Sequence, residues 1–193
     1  MLMLFMAIRR LQILIKFEKV KRFENTDIQI PKRGTKYSAG YDMYVAENII
    51  IPPLETHIMN LLKNSVQVSD DNIITLEQME KITKATKAKP TLVSTGVKCY
   101  MEPNQYLQLA VRSSTPLKYW LIQGNAPGIV DADYAGNPEN DGEIFFQMIN
   151  LSPFAIELKK GDRIGQGVIH NYSVTDNDKS ENERIGGYGS TGR

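Results

Sequence analysis

The chain has 193 residues, 41% of them hydrophobic and 23% charged, a balance that suits one soluble globular domain with a substantial core. Lys and Arg number 23 against 22 Asp and Glu, so the net charge of +1 excludes general polyanion binding, and no nucleic-acid partner is expected. A single cysteine rules out an internal disulfide framework and fits a reducing, cytoplasmic compartment; beside only two histidines it also argues against a zinc site.

The opening run Met1 to Ile8 is apolar but too short to span a bilayer, and Arg9 and Arg10 follow it rather than precede it. Neither a membrane segment nor a signal peptide is expected. Residues 1–10 read as an extension, and "LQILIKFEKV" as a first strand. Short β-like runs then recur between Pro, Gly, Asn and Asp: "VAENIII", "TLVSTGVKCYM", "YLQLAV", "EIFFQMIN", "FAIEL" and "RIGQGVIHNY". Such spacing predicts an all-β barrel or sandwich. In "YLQLAV" the alternation turns Tyr106, Gln108 and Ala110 one way and Leu107, Leu109 and Val111 the other. Cys99, inside "GVKCYM", reads as a small core residue rather than a reactive thiol.

One segment breaks the β pattern. "TLEQMEKITKATKAKP" predicts a helix, with Thr75 and Gln78 as a capping box, Leu76, Met79 and Ile82 as an apolar stripe, and Pro90 as the stop. It reads as a surface helix laying that stripe on the barrel; a partner-binding element is the alternative. "TDNDKSENER" is polar and reads as a mobile tether to the glycine-rich end.

That end contains Gly187 to Gly192, a literal G-x-G-x-x-G, but only Arg193 follows, so the strand and helix of a dinucleotide fold have no place. No Walker loop is present. "DADYAGNPENDG" has Asp131, Asp133 and Gly136 where a calcium loop needs them, yet Ala135 and Gly142 occupy two ligand positions, and that reading is rejected. Asp131 and Asp133, taken alone, read as turn residues of a hairpin.

Four further stretches, "SAGYDMYVA", "VRSSTPLK", "GNAPGIVDADYAG" and "KKGDRIGQG", together with the tail, resemble the five ordered motifs of the trimeric dUTP pyrophosphatases (dUTPases). The likeness runs from about residue 26 to the end, and "RSST" with the shortened tail is similar to the phage-type branch. It implies an all-β, jelly-roll-like barrel over residues 1–183 with one inserted helix in an insertion at 62–90, and a flexible C-terminal arm at 184–193 that closes as a lid over the nucleotide, typically on a neighbouring subunit. The activity implied is hydrolysis of dUTP to dUMP and pyrophosphate with Mg²⁺, in a cytoplasmic homotrimer (host cytoplasm for a phage-encoded chain) whose sites are shared between subunits.

The resemblance also implies roles. Asp131 matches the carboxylate that activates the attacking water. Tyr134 matches the tyrosine packed on deoxyribose, and Asn125 a uracil-contacting asparagine, with backbone groups of Gly128, Ile129 and Val130 completing base recognition. Arg112, Ser113, Ser114 and Gln166 match phosphate-contacting positions, Arg112 also as a structural pair between subunits. Asp42 matches the carboxylate that reaches Mg²⁺ through water. In the tail, Arg184 matches a γ-phosphate fork, Tyr188 the aromatic that stacks on uracil, and Gly189, Ser190 and Thr191 a phosphate-binding nest. Asp162 and Arg163 read as turn and interface residues.

Two departures from the family pattern stand out. Val111 takes the place of a proline, and "RIGGY" is one residue shorter than the common tail, which displaces Arg184 relative to the ring. Two rival readings follow. A dCTP deaminase shares the fold, but Gln147 stands where its catalytic glutamate aligns. A regulatory homologue would dock a protein partner through the 62–90 insertion.

Overall fold

The computed structural model describes residues 14–63, 73–181, 184 and 186. The strands are β1 (Lys16–Lys19), β2 (Lys32–Arg33), β3 (Tyr41–Tyr44), β4 (Ile49–Ile51), β5 (Thr91–Ser94), β6 (Val97–Tyr100), β7 (Gln105–Val111), β8 (Leu121–Gln123), β9 (Gly128–Asp131), β10 (Phe145–Asn150), β11 (Ile156–Leu158) and β12 (Arg163–Asn171). Three helices interrupt them, α1 (Leu54–Lys63), α2 (Leu76–Thr86) and the short α3 (Ser114–Tyr119), with 3₁₀ turns at Lys21–Phe23 and Ala132–Tyr134.

The strands form a jelly-roll-like β fold. Its largest sheet has the order β2-β3-β12-β7-β9; β5-β10-β8 makes a second, and β1-β6 and β11-β4 pair off. The alternation in β7 is realised: Leu107 and Leu109 are buried, while Tyr106, Gln108 and Ala110 lie on the opposite face. Phe146, Met148, Met43, Leu121 and Ile164 fill the core around them. The glycines of β12 are packing residues, since a Cβ on Gly165 would lie 2.4 Å from the Phe146 ring and one on Gly167 2.8 Å from Leu107.

"TLVSTGVKCYM" is two strands, not one. The break falls at Thr95 and Gly96, where Gly96 has φ +68° and a Cβ would strike Ile28 and Phe23. Nearby, the Glu143 carboxylate is buried and accepts from Arg22 Nε (2.6 Å), Arg22 Nη2 (2.7 Å), Ser94 Oγ and the Gly96 N–H (3.3 Å). This ties the first segment to the middle of the chain. Of the expected first strand, β1 is the part within the described residues; residues 1–13 lie outside them.

The capping box of α2 is present on both arms, Gln78 N–H to Thr75 Oγ1 (3.2 Å) and Thr75 N–H to Gln78 Oε1 (2.7 Å), and the helix ends with Lys87 in the left-handed region, ahead of Pro90. Its expected stripe is corrected. Ile82 and Thr86 are buried, but Leu76 is 92% exposed, because it sits in the first turn and points away from the protein. A second helix, α1, joins the one expected. It follows Pro52 and Pro53, which end β4 and open the helix, and it packs on α2. Its apolar residues Ile58 and Met59 remain nearly half exposed, so the helix pair is only partly seated. α3 within "SSTPLKY" was not expected either. No helix among the described residues is long and apolar enough to cross a membrane.

Candidate active site

β9 is the outer strand of the five-stranded sheet. Antiparallel to β7, it sets Asp131 opposite Tyr106, Val130 opposite Leu107, Ile129 opposite Gln108 and Gly128 opposite Leu109. Since Leu107 and Leu109 face the core, the period of two places Asp131 and Ile129 on the outer face. Gly128 must be small. A Cβ there would lie 2.7 Å from Gln123 Nε2 and 3.3 Å from Leu109 Cβ, so the backbone comes close to both side chains. The strand then turns out through the 3₁₀ turn, which carries Asp133 and Tyr134.

These elements enclose a cavity of about 240 Å³. Asn125, Gly128, Ile129, Val130, Asp131 and Tyr134 line it, with Leu109, Phe145, Gln147 and Arg184. Tyr134 is buried, and its hydroxyl accepts a 2.7 Å hydrogen bond from Asn140 Nδ2, which fixes the ring as one wall. Asn125 is held in turn: Gln123 Nε2 donates to its Oδ1 at 3.3 Å. Asp131 occupies the cap position of the 3₁₀ turn but makes no capping bond, and its side chain is 51% exposed. Asp131 thus stands at the turn, with its carboxylate turned to Arg184 rather than to the backbone.

Arg184 reaches back over this cavity. Its Nε donates to Asp133 Oδ1 at 2.8 Å, its Nη2 to Asp131 Oδ2, and its guanidinium lies 5.8 Å from the centre of the Tyr134 ring. Burial works against the Arg184 charge, but the hydrogen bond to Asp133 and the charges of Asp133 and Asp131 outweigh it and raise the pKa. The fork expected to take a phosphate is thus engaged, in the protein alone, by the two carboxylates of its own chain. Tyr188, Gly189, Ser190 and Thr191 lie outside the described residues.

The remaining expected residues gather elsewhere. Gln166 on β12 stands between Asp42 on β3 and Ala110 on β7. Gly40 makes room for it, since a Cβ there would fall 2.5 Å from Gln166 Oε1. Asp42 Oδ2 accepts from Arg163 Nη1 at 3.2 Å and shares an open groove with Lys32, Arg33 and Gly34. Arg112 and Ser114 line a separate groove with Arg163 and Asp162. Ser113, exposed ahead of α3, makes no capping bond, which leaves its hydroxyl open. Asp162 acts as a turn residue, its carboxylate accepting from the Lys159 N–H at 2.8 Å.

Asp42, Gln166 and Asp131 share the outer face of one sheet, but not one place on it. The row of Asp131 contains Tyr106 and His170, four residues along β12 from Gln166. Three strand spacings and four residues of rise separate Asp42 from Asp131 by roughly 20 Å. The expected residues thus fall in two separate places on one chain.

Sequence does not pick out Leu109 and Phe145, which line the cavity, or Gln123 and Asn140, which hold lining residues in place. The alternation of β10 carried the signal for Phe145 and for Gln147, which face away from buried Phe146 and Met148. Gln147 brings a neutral amide to the cavity where a deaminase would place its glutamate. Among the described residues no group of three or more His, Cys, Asp and Glu is placed to hold a metal ion.

Comparison with known proteins assigns the class. Residues 74–192 match the dUTPase family model. The deoxyuridine 5'-triphosphate nucleotidohydrolase of Lactococcus lactis is 35% identical over 178 residues, 91% of this chain and 96% of that protein. The crystal structure of dUTPase from Streptococcus mutans is 31% identical, with a TM-score of 0.63 over 83% of this chain and 98% of that one. A dUTPase of phage 80α, at 16% identity and a TM-score of 0.56, shares the fold. The chain belongs to the dUTPase family.

Proposed function

We propose that this chain hydrolyses dUTP to dUMP and pyrophosphate at a site completed between subunits, with Asp131 as the general base. The observation that carries the reading is the Asp131 carboxylate, uncapped at the mouth of a cavity walled by Asn125, the β9 backbone and the fixed Tyr134 ring. An ionised carboxylate there accepts a proton from water as the oxygen attacks the α-phosphorus; the bond from that phosphorus to the bridging oxygen breaks, and pyrophosphate leaves. Once Arg184 moves from Asp131 to the phosphates, the base is free for that water.

The nucleoside half supplies the filters. Asn125 and the backbone of Gly128, Ile129 and Val130 bind the uracil edge, and the ring of Tyr134 packs on deoxyribose and leaves no room for a 2′-hydroxyl. Arg112, Ser113, Ser114 and Gln166 hold the phosphate chain. Asp42 offers one carboxylate, partly engaged by Arg163; that donor set fits a Mg²⁺ ion whose other ligands are water and phosphate oxygens, and it does not fit a protein cage. When bound, the ion would screen the charge of the triphosphate. Residues 184–193, with Tyr188, Gly189, Ser190 and Thr191, form the closing lid.

Because the two half-sites are roughly 20 Å apart on the spacing of the sheet, one nucleotide needs halves from different chains, and a homotrimer supplies them. The test mixes Asp131→Asn chains with Gln166→Ala chains and lets the subunits exchange. Sites built from two chains regain both intact halves in about a quarter of cases, and activity rises above that of either parent. Activity that stays at the sum of the parents shows a site contained in one chain. A second reading, a protein partner at the 62–90 insertion, is favoured by the exposure of Leu76 and Met79 on α2. Under that reading, serine at Leu76 and Met79 keeps hydrolysis and loses the partner.

A further inference from the structure

Gln123 is the last residue of β8 and 6% exposed, yet its amide makes a single hydrogen bond, from Nε2 to Asn125 Oδ1 at 3.3 Å. Its Oε1 is buried with no partner. A side chain in this position costs stability that an apolar residue of the same length would not, and such a group calls for a reason. What Gln123 touches supplies one. Asn125 lines the cavity, and with Oδ1 taken by Gln123 the polar atom left to face a ligand is Nδ2, a donor.

We infer that Gln123 is a specificity-determining positioning residue, which holds the Asn125 amide with its donor toward the base and so selects a 4-oxo pyrimidine over a 4-amino one. Uracil presents an acceptor at O4, which Nδ2 satisfies. Cytosine presents an amino donor at the same place, which meets Nδ2 donor to donor. Free to turn over, an asparagine serves both bases, since its oxygen and nitrogen exchange places by one rotation. Gln123 couples that rotation to its own, and turning both would leave its buried NH₂ without an acceptor. Rotating Asn125 alone would set two NH₂ groups against each other, so the amides exchange only together. Gly128 closes the arrangement from the other side, since a Cβ there would lie 2.7 Å from Gln123 Nε2 and 3.5 Å from Asn125 Nδ2.

The inference rests on the reading of this cavity as the base pocket, and the experiment separates the two. Gln123→Met keeps the length and removes the donor. The preference for dUTP over dCTP in kcat/KM is expected to fall about tenfold or more, carried by KM, with kcat for dUTP near its original value. Gln123→Glu, ionised, only accepts; it draws Nδ2 to itself, turns Oδ1 toward the base and lowers the preference further. Calorimetric binding of dUMP and dCMP reads the same ratio without turnover and serves where a variant is slow. Should Gln123→Met fail to fold, the Glu variant carries the test. Equal losses for the uracil and cytosine nucleotides, or an unchanged ratio in folded protein, overturn the role of Gln123. Failure of the unaltered protein to hydrolyse dUTP overturns the function instead, and the dUMP to dCMP binding ratio then still decides for or against Gln123.

Discussion

The two half-sites on this chain are built in opposite ways. Around Asn125, Gly128, Asp131 and Tyr134 the protein forms a cavity whose polar walls are held by further side chains: Gln123 holds Asn125, and Asn140 holds Tyr134. Asp42 lies in an open groove, paired with Arg163, and Arg112 and Ser114 line a second groove beside the same arginine; among the described residues no comparable side-chain bonds hold them. A base and a sugar are rigid and can be recognised by a preformed cavity. A triphosphate is flexible and highly charged, and suits donors gathered from more than one chain. Under the proposed function, recognition of the base and sugar rests on side chains whose positions are set within one chain.

The largest expected effect falls on the nucleoside side. Asp131→Asn preserves the shape of the cavity and removes the base, so kcat should drop roughly 10²- to 10⁴-fold while dUTP still binds. Pyrophosphate release and nucleotide titration on the same preparation check it; near-normal turnover would move the base elsewhere. Next come two glycines that compare the halves directly. Gly128→Ala drives a Cβ against Gln123 Nε2 and Leu109, both buried, and should cost about 10²-fold in kcat/KM because the cavity cannot relax. Gly40→Ala meets Gln166 alone, most closely at Oε1 (2.5 Å) and also at Cβ (3.2 Å), so it displaces that one side chain and should cost roughly tenfold, mainly in KM. Equal effects would erase the distinction between a half whose side chains are held by others and one whose side chains are not.

The smallest effect is expected at Cys99. It lies in β6, buried, and desolvation pushes its thiol up to about 12, so thiolate is scarce near neutral pH. Thiol reagents should leave both binding and turnover unchanged in the native protein and label Cys99 only on unfolding, as mass spectrometry would show. Rapid native labelling would mean that the core opens, and the cavity with it.

Much of this was legible in the residues. The alternation of "YLQLAV" located the core face of β7, because a strand exposes its two faces in turn. The Thr75–Gln78 capping box located the start of α2, since the bonds are local. α1 was missed because its apolar residues follow two prolines and do not meet the core, which weakens the pattern that marks a helix. Leu76 was misjudged for a related reason: periodicity names a stripe but not how far along the helix the neighbour extends. The motifs carried the assignments of Asp131, Asn125 and Tyr134. Nothing in them announced Gln123 or Asn140, whose partners lie two and six residues away through an irregular path.

By itself, the sequence determined the class of fold, the family and the chemical groups available to the site, since strand alternation, caps and motif residues are properties of neighbours in the chain. Tertiary structure alone decided which of those groups meet. It placed Arg184 on Asp131 and Asp133, set the Gln123 amide against Asn125, and kept Asp42 and Gln166 strands away from the base. The physical reason is register. The pairing of β3, β12, β7 and β9 fixes which residues share a row, and those rows are chosen by the packing of Leu107, Phe146 and the close glycines of β12, which no stretch of the chain contains alone.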